Sequence, residues 1–446
     1  VPAVVRAASG LALAAAAGLV LSCTADVAPR PNVLVLVLDT VRADRCSFLG
    51  YARPTTPNLD AFARDAVTFE DAWSPASWTA PAHAALFTGT NPHHLDLFRG
   101  SDTNLVGGQT LAERLTALGW ESGAFSANPW VGPEVGLTRG FGVVRHFLPN
   151  GTTFTDSAVV VSAAIEWMRS CVTAERGAPF LAYVNLMDAH APYDPPEASR
   201  RGFVSAETPF RVVDTASRLG TLDDLLPSSL DGTPLPPGVE KTVSDLYDAS
   251  IATADAQAGR LLQELDRLGV AGNTVVVVAS DHGEGLGDHG WREHGLRLHR
   301  ELLRVPLIVR SPGRLDGGRR VRGTVELADV VPTVLASCGL QPPPSGDGSD
   351  LAAPPPPARI VFATDRAYAG WPMLAARKLP EPWRRQLETV RRSAYDGRHH
   401  LILDDRGGLE LYDTVTDPAE LRNVAADAPD VVTRLRAALR TEFGDR

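Results

Sequence analysis

Three separated stretches of this chain carry residues that could hold a metal ion beside a reactive oxygen: Asp39, Thr79 and the pair Asp281-His282. Asp39 follows the apolar run 33–38, and Asp281-His282 follows the apolar run 274–279. Two carboxylates, an imidazole and the Thr79 hydroxyl make a four-ligand set suited to Mn²⁺ or Zn²⁺, and such a cation would lower the pKa of the hydroxyl. Asp39 taken alone is equally well a helix cap or turn residue. An acid and an imidazole directly after a buried strand are harder to explain structurally. Thr79 precedes residues 81–87, which read as a helix, so the first N–H groups of that helix would favour negative charge on its oxygen.

Positioning such residues requires a sheet whose strands end side by side. Residues 33–38, 122–126, 180–186 and 274–279 read as strands, three of them as continuous apolar runs buried on both faces. Helices are predicted over 57–66 (Thr56 as cap, Pro57 at the first position), 81–87, 109–118, 155–172 and 245–268. The last has the best helical period, set by Ile251, Ala254, Ala258, Leu261, Leu262, Leu265 and Leu268. Alternation of strands and helices predicts an α/β fold, a doubly wound mixed sheet with chemistry at the carboxyl ends of its strands. Residues 197–237, rich in Pro and Ser and without clear periodicity, read as a loop insertion over the site or as a peripheral spacer. A Pro/Gly-rich stretch at 341–357 reads as a linker between a catalytic domain, 31–340, and a small C-terminal α+β subdomain, 358–446. Within that subdomain strands are predicted at 359–363, 390–395, 400–403 and 409–412, and a helix from about 430 to 443.

Composition narrows the function classes. With 446 residues, 44 % hydrophobic and 22 % charged, the chain can bury one large domain and a smaller one. The net charge is −10, and the cations are nearly all Arg, Lys241 and Lys378 being the only lysines. No basic run interleaved with aromatics is present, which argues against nucleic-acid binding. Cys23, Cys46, Cys171 and Cys338 form no CxxC pair, which argues against a cysteine zinc site. Residues 1–22 read as a signal peptide, with Arg6 as the basic start and an apolar stretch over 11–21. Leu19-Val20-Leu21-Ser22-Cys23 resembles a lipobox, in which Cys23 would be acylated. The expectation is an exported protein of the bacterial cell envelope held to the membrane by a lipid; a plain secretory signal and an uncleaved anchor are the alternatives.

Several motifs occur in one order along residues 31–425. They are Pro31-Asn32 with Asp39-Thr40-Val41-Arg42-Ala43-Asp44, Thr56-Pro57-Asn58-Leu59-Asp60, and Thr79 with Pro81 two residues on and His83 four residues on. Then come Met187-Asp188-Ala189-His190-Ala191-Pro192-Tyr193, Ser280-Asp281-His282-Gly283-Glu284 with His289, His294 and Arg304-Val305-Pro306-Leu307-Ile308, and Leu411-Tyr412-Asp413 through Asn423. Together they resemble the sulfatase family of the alkaline phosphatase superfamily. The resemblance implies that fold, with Asp39, Asp281 and His282 as metal ligands and Thr79 in the nucleophile position. It also implies that His190 holds a non-bridging substrate oxygen and that His294 is the general acid, with His289 and His299 as competitors in the same loop. His83 stands where sulfatases place an arginine, and would contact a substrate oxygen or serve as a cap.

The departures from the family pattern are chemical. Sulfatases oxidise Cys or Ser to an aldehyde, which a threonine cannot yield, whereas phosphoryl-transferring relatives attack through a metal-bound threonine. Thr40 replaces a second aspartate and His282 replaces an asparagine, both of which favour Mn²⁺ or Zn²⁺ over Ca²⁺. One ion is expected; Asp188, His190 and His294 could supply a second, at an unfamiliar spacing. The sequence thus predicts a metal-dependent hydrolase or transferase cleaving phosphate or phosphonate esters of a small molecule or an envelope glycan or lipid. The alternatives are a sulfuric ester hydrolase working without formylglycine and an inactive surface lipoprotein serving as a binding module.

Overall fold

Alternate residues of the first apolar run face opposite sides of a sheet, and both sides are covered. Val33, Val35 and Val37 enter one hydrophobic cluster, while Leu34, Leu36 and Leu38 enter another. Val275 and Val277 against Val276 and Val278 repeat the pattern in the late run. This is why neither strand shows a polar face in the sequence.

The computed structural model describes residues 30–95, 107–148, 156–175, 177–219, 227–343, 346–365 and 379–444. The expected leader over 1–22 and Cys23 lie outside the described residues. The main sheet is built from β1 (Asn32–Leu38), β2 (Val67–Trp73), β3 (Glu121–Ser126), β4 (Val143–His146), β5 (Phe180–Leu186) and β6 (Thr274–Ala279). A short hairpin, β7 (Gly285–Leu286) with β8 (Arg292–Glu293), follows. The main sheet then takes in β9 (Arg304–Arg310), β10 (Arg320–Val321) and β11 (Val325–Glu326). Its order is β10-β2-β9-β6-β1-β5-β3-β4, with β11 also on β2. The run from β6 to β4 is parallel; β9 enters antiparallel to both β6 and β2, so the sheet is mixed, as expected.

The long helix Val239–Arg267 and the helix Ser157–Thr173 cover one face, and Thr79–Thr88 lies on the other. The segment expected to be an aperiodic insertion includes a helix, Phe210–Arg218, that packs on Val239–Arg267. Thr56 precedes the helix Pro57–Phe62, but its hydroxyl bonds Asp60 at 3.1 Å and does not cap.

The second sheet is antiparallel, β12 (Val361–Asp365), β13 (Arg391–Tyr395), β14 (His399–Asp404) and β15 (Leu409–Asp413) in sequence order. Ala394, Leu401 and Leu411 point at the C-terminal helix Pro429–Phe443, while Tyr395, Ile402 and Tyr412 point at the main body. Trp73 of β2 stacks on Tyr395 at 4.1 Å, joining the two sheets through an aromatic pair. The stretch expected as a linker is tied down: the N–H groups of Asp347 and Gly348 bond the Gly89 carbonyl, and Leu351 is buried. A side chain at 348 would meet the Ala328 carbonyl at 2.0 Å, so only glycine fits there.

His289 adds a polar clasp between these units. Its Nδ1 faces Glu301 at 2.8 Å and its Nε2 faces the Glu420 carbonyl at 3.1 Å. Both ring nitrogens must therefore donate. Burial works against that charge, but the hydrogen bond and charge of Glu301 outweigh it and lift His289 to about 9. Because the folded pKa lies above the unfolded one, the stabilisation is complete below about 6.5 and disappears as pH rises through about 9. Thermal melting between pH 6 and 10 should show this loss in the parent and a flatter profile in His289→Gln; parallel profiles would exclude the clasp.

Candidate active site

The turn after β1 and the turn after β6 are bolted together. Thr40 holds a left-handed backbone at φ 59°, unfavourable for a β-branched residue, which aims its N–H at Asp281 Oδ1, 3.2 Å away. The Val41 N–H donates to Ser280 Oγ at 2.9 Å, and that hydroxyl donates to the His282 carbonyl at 2.7 Å. Tyr247 closes the Thr40 carbonyl at 2.7 Å. Register places Val37 opposite Ala279, so Asp39 and Asp281 emerge side by side at the carboxyl edge.

Both aspartates are fully buried, and each keeps one oxygen without a hydrogen-bond partner: Asp39 Oδ1 and Asp281 Oδ2. The other oxygens are satisfied. Asp39 Oδ2 accepts from Asn128 at 2.7 Å and Asn185 at 3.2 Å, and Asp281 Oδ1 also accepts from the His282 N–H at 3.0 Å. His282 Nδ1 lies 2.9 Å from the Gly283 carbonyl and so carries the proton, which leaves Nε2 with a lone pair. That nitrogen is 3.4 Å from Asp281 Oδ2 and 3.3 Å from Thr79 Oγ1. One ligand atom from each of Asp39, Asp281 and His282 lies within 4.8 Å of the others. Burial, then the neighbouring Asp39 carboxylate, pushes Asp281 well above the usual carboxylate range; burial, then the charge of His294, pushes His282 well below the usual imidazole range. Two unpartnered carboxylate oxygens and a bare imidazole nitrogen fit a divalent cation.

Thr79 is the first residue of the helix Thr79–Thr88, which begins two residues before the predicted 81. Its hydroxyl oxygen also accepts from Asn128 Nδ2 at 3.3 Å. The Trp130 N–H holds Asn128 Oδ1 at 2.8 Å, which fixes the amide so that its NH₂ faces Asp39 and Thr79. Asn128 and Asn185 were not among the residues expected at the site; the only signal was an amide at or just past the end of a strand.

Not every expected residue reaches the same space. His83 is fully buried beside Thr79, with Nδ1 3.0 Å from the Thr79 carbonyl and 3.4 Å from Asp281 Oδ2, and Nε2 accepting from the Tyr183 hydroxyl at 2.7 Å. Both nitrogens are committed, so it braces the helix and does not reach a substrate oxygen. Asp188 turns away to accept from Ser157 at 2.5 Å, leaving it unavailable to a second ion. His289 and His299 stack on each other at 3.8 Å beside the second sheet, so His294 is the histidine of that loop at the site.

His190 and His294 do converge. Their ring centres are 4.9 Å apart, and His294 lies 4.6 Å from His282. His190 donates Nδ1–H to the Ala191 carbonyl at 2.6 Å, so it can also donate through Nε2 only as the imidazolium. Burial, then the charge of His294, lowers its pKa; a bound dianion would work in the opposite sense. His294 faces a carboxylate instead, Glu284 Oε1 at 3.2 Å. Burial alone would lower His294, but the charge and hydrogen bond of Glu284 outweigh it and raise the ring to about 9. The loop that presents it is anchored by the Gly295 N–H on the Ser77 carbonyl at 2.7 Å and by the buried Arg42, which bonds Asp44, Asp288 at 2.6 Å and the Glu284 carbonyl at 3.2 Å. At neutral pH the cluster thus holds a protonated imidazole, His294, beside an unprotonated one, His282.

Comparison with known proteins bears on what such a site does. The sulfatase family model matches residues 31–340. A multifunctional alkaline phosphatase superfamily protein, PehA of Trinickia caryophylli, is 25 % identical over 401 residues, 72 % of this chain and 76 % of that one. The phosphonate monoester hydrolase of Agrobacterium radiobacter superposes with a TM-score of 0.71 at 25 % identity, covering 92 % of this chain and 95 % of the other. A structure solved in complex with D-glucosamine-2-N,6-O-disulfate superposes with a TM-score of 0.74 at 18 % identity, over 94 % and 99 % of the two chains, a likeness of fold.

The aspartate pair generates a two-sided expectation. In metal-stripped protein, Asp281→Asn should raise the melting temperature by a few degrees, because it relieves two like charges in a buried site. With Mn²⁺ or Zn²⁺ added, the parent should gain stability and the variant should gain much less. Calorimetry checks both, and equal metal responses would remove Asp281 from the ligand set.

Proposed function

As the chain belongs to the sulfatase family and is a hydrolase of the alkaline phosphatase superfamily, we propose that it cleaves phosphonate or phosphate esters with Thr79 as the nucleophile. The observation that carries this reading is the Thr79 hydroxyl itself, buried at a helix N-terminus between His282 Nε2 and Asn128 Nδ2. A threonine does not yield the aldehyde of a sulfatase nucleophile, but its oxygen can attack phosphorus directly. The phosphonate monoester hydrolase likeness supports the same substrate class.

Members of the family are metal-dependent, and Asp39, Asp281 and His282 are the residues that would hold the ion here. A single Mn²⁺ or Zn²⁺ suits this mixed nitrogen and oxygen set better than Ca²⁺. Such an ion supplies charge neutralisation at the phosphoryl oxygens and a lowered pKa for the Thr79 hydroxyl. The chain's own groups supply the rest. Thr79 enters as the alkoxide, its proton having passed to solvent, while Asn128 donates a hydrogen bond to its oxygen and the helix N-terminus favours its charge. The Thr79 Oγ1–P bond forms as the P–O bond to the organic group breaks, and His294 passes its Nε2 proton to the departing oxygen. His190, protonated beside the anionic phosphoryl group, steadies an equatorial oxygen. Water then attacks phosphorus, His294 takes back a proton, and the Thr79 oxygen departs.

The rival reading, sulfate ester hydrolysis through unmodified Thr79, draws on the sulfatase family match. Matched nitrophenyl phosphate, phosphodiester, phenylphosphonate and sulfate esters, assayed on stripped protein resupplied with Mn²⁺, Zn²⁺ or Ca²⁺, separate the two. Phosphorus esters should be preferred, with Thr79→Ala losing about 10³-fold or more in kcat/KM. Preferred sulfate turnover with Ca²⁺, or a Thr79→Ala enzyme at full rate, would refute the proposal.

His294 supplies a pH signature. A general acid at about 9 is protonated below that pH, so turnover of an ester with a poor alkoxide leaving group should fall as pH rises through about 9. Glu284→Gln removes the charge that raises His294, and the fall should move down towards the ordinary histidine value of about 6.5. Nitrophenyl esters, which need little protonation, should show a smaller change; identical profiles for both ester types would take the acid role from His294.

A further inference from the structure

A second cluster of metal-binding side chains lies at the far end of the helix that starts with Thr79. That helix stops at Gly89 in a left-handed conformation, φ 71°, and the chain enters a 3₁₀ turn, Pro92–His94. Ten residues separate this end from the catalytic pit, roughly 15 Å along the axis. His93 Nε2 lies 2.8 Å from Glu442 Oε1 and His94 Nε2 lies 3.6 Å from that same oxygen, Glu442 being in the last turn of the C-terminal helix. One ligand atom from each of the three residues falls within 4.8 Å of the others.

Hydrogen bonds at the outer side of the cluster fix what faces inward. His94 Nδ1 is 3.0 Å from both Asp347 oxygens and so carries a proton, which leaves Nε2, on the Glu442 side, as the nitrogen that can ligate. Asp347 is itself held by the Asn91 N–H at 2.6 Å. A carboxylate behind an imidazole whose far nitrogen meets another carboxylate is the arrangement that supports a metal-ligating histidine. On the other ring, Nδ1 of His93 is buried and has no hydrogen-bond partner among the described residues, while Nε2 faces Glu442. His93 and Glu442 are at 9 % and 22 % side-chain exposure and His94 at 40 %, so the cluster opens to solvent on the His94 side. The His289, His299 and Glu301 cluster differs, because both nitrogens of His289 already donate.

We propose that His93, His94 and Glu442 bind a Zn²⁺-type divalent ion, with Asp347 orienting His94, and that the ion fastens the C-terminal helix to the end of the nucleophile helix. Two imidazoles and a carboxylate are an ordinary zinc set, leaving a fourth position for water. Tetrahedral bonds of about 2.0–2.1 Å place ligand atoms about 3.3 Å apart, between the two separations found here. The ion takes the place of the hydrogen bond between His93 and Glu442, the His93 Nε2 proton passing to solvent as the ring takes the Nδ1–H tautomer, and it binds His94 through Nε2.

Metal analysis of the full chain, stripped with chelator and dialysed against Zn²⁺, tests this independently of the catalytic reading. Glu442→Gln keeps a hydrogen-bond acceptor for His93 and removes the charge, so it should fold and bind one fewer zinc per chain than the parent. That difference of one holds whether or not the Asp39 and Asp281 site is filled. Asp347→Asn should weaken this zinc by roughly 10–100-fold. With free Zn²⁺ at 100 times its Kd, the folded-to-unfolded ratio of the parent should rise about 100-fold more than that of Glu442→Gln. Equal zinc content and equal zinc-dependent melting in parent, Glu442→Gln and His94→Gln would overturn the proposal and leave the cluster as hydrogen-bonded packing alone.

Discussion

Two carboxylates that cannot move apart govern this structure. Asp39 and Asp281 are each one or two residues beyond strands that lie side by side, and the strands hold their register through interleaved apolar side chains on both faces. Separating the charges would mean slipping β1 against β6, which would carry every valine and leucine to the wrong face. The repulsion is therefore built into the fold, and the surrounding N–H donors satisfy only half of the oxygens. A cation is the natural complement, and Thr79, His282 and the two asparagines are arranged around the place it would take.

Around that pair, the chemistry of each histidine follows from what stands behind its other nitrogen. His282 and His190 both back onto carbonyl oxygens, which fix a proton on Nδ1, and in His282 this leaves Nε2 with its lone pair towards Asp281 and Thr79. His294 backs onto Glu284, which makes the ring cationic although it is buried. His83 lies between a helix carbonyl and a tyrosine hydroxyl, stays neutral and becomes a brace. Four imidazoles in one small volume thus take three electrical roles without any change of residue type.

Much of this was legible in the sequence, for physical reasons. Strands buried on both faces announce themselves as unbroken apolar runs, so β1, β5 and β6 were read nearly to the residue, and the acids that end them marked the carboxyl edge. The strand β2 was not read, because Glu70 and Asp71 interrupt it where it twists past β9 with an irregular register. Asn128 escaped notice since an amide after a strand containing Gly123 and two serines looks like turn chemistry, and only the fold brings it to Thr79. The position of His83 was readable and its orientation was not: the partner that turns it away, Tyr183, lies 100 residues along the chain.

The bond between the Thr40 N–H and Asp281 spans 241 residues of sequence. In chain order β1 and the helix that opens with Thr79 come long before the strand that completes the centre, and until that strand docks β1 has one edge uncovered. Closing so long a loop costs little more free energy than closing one half its length, but the search slows assembly. Until then Thr79 has no imidazole at its hydroxyl, because His282 belongs to the late segment. The three residues that could hold an ion are likewise brought together only when the late strand docks.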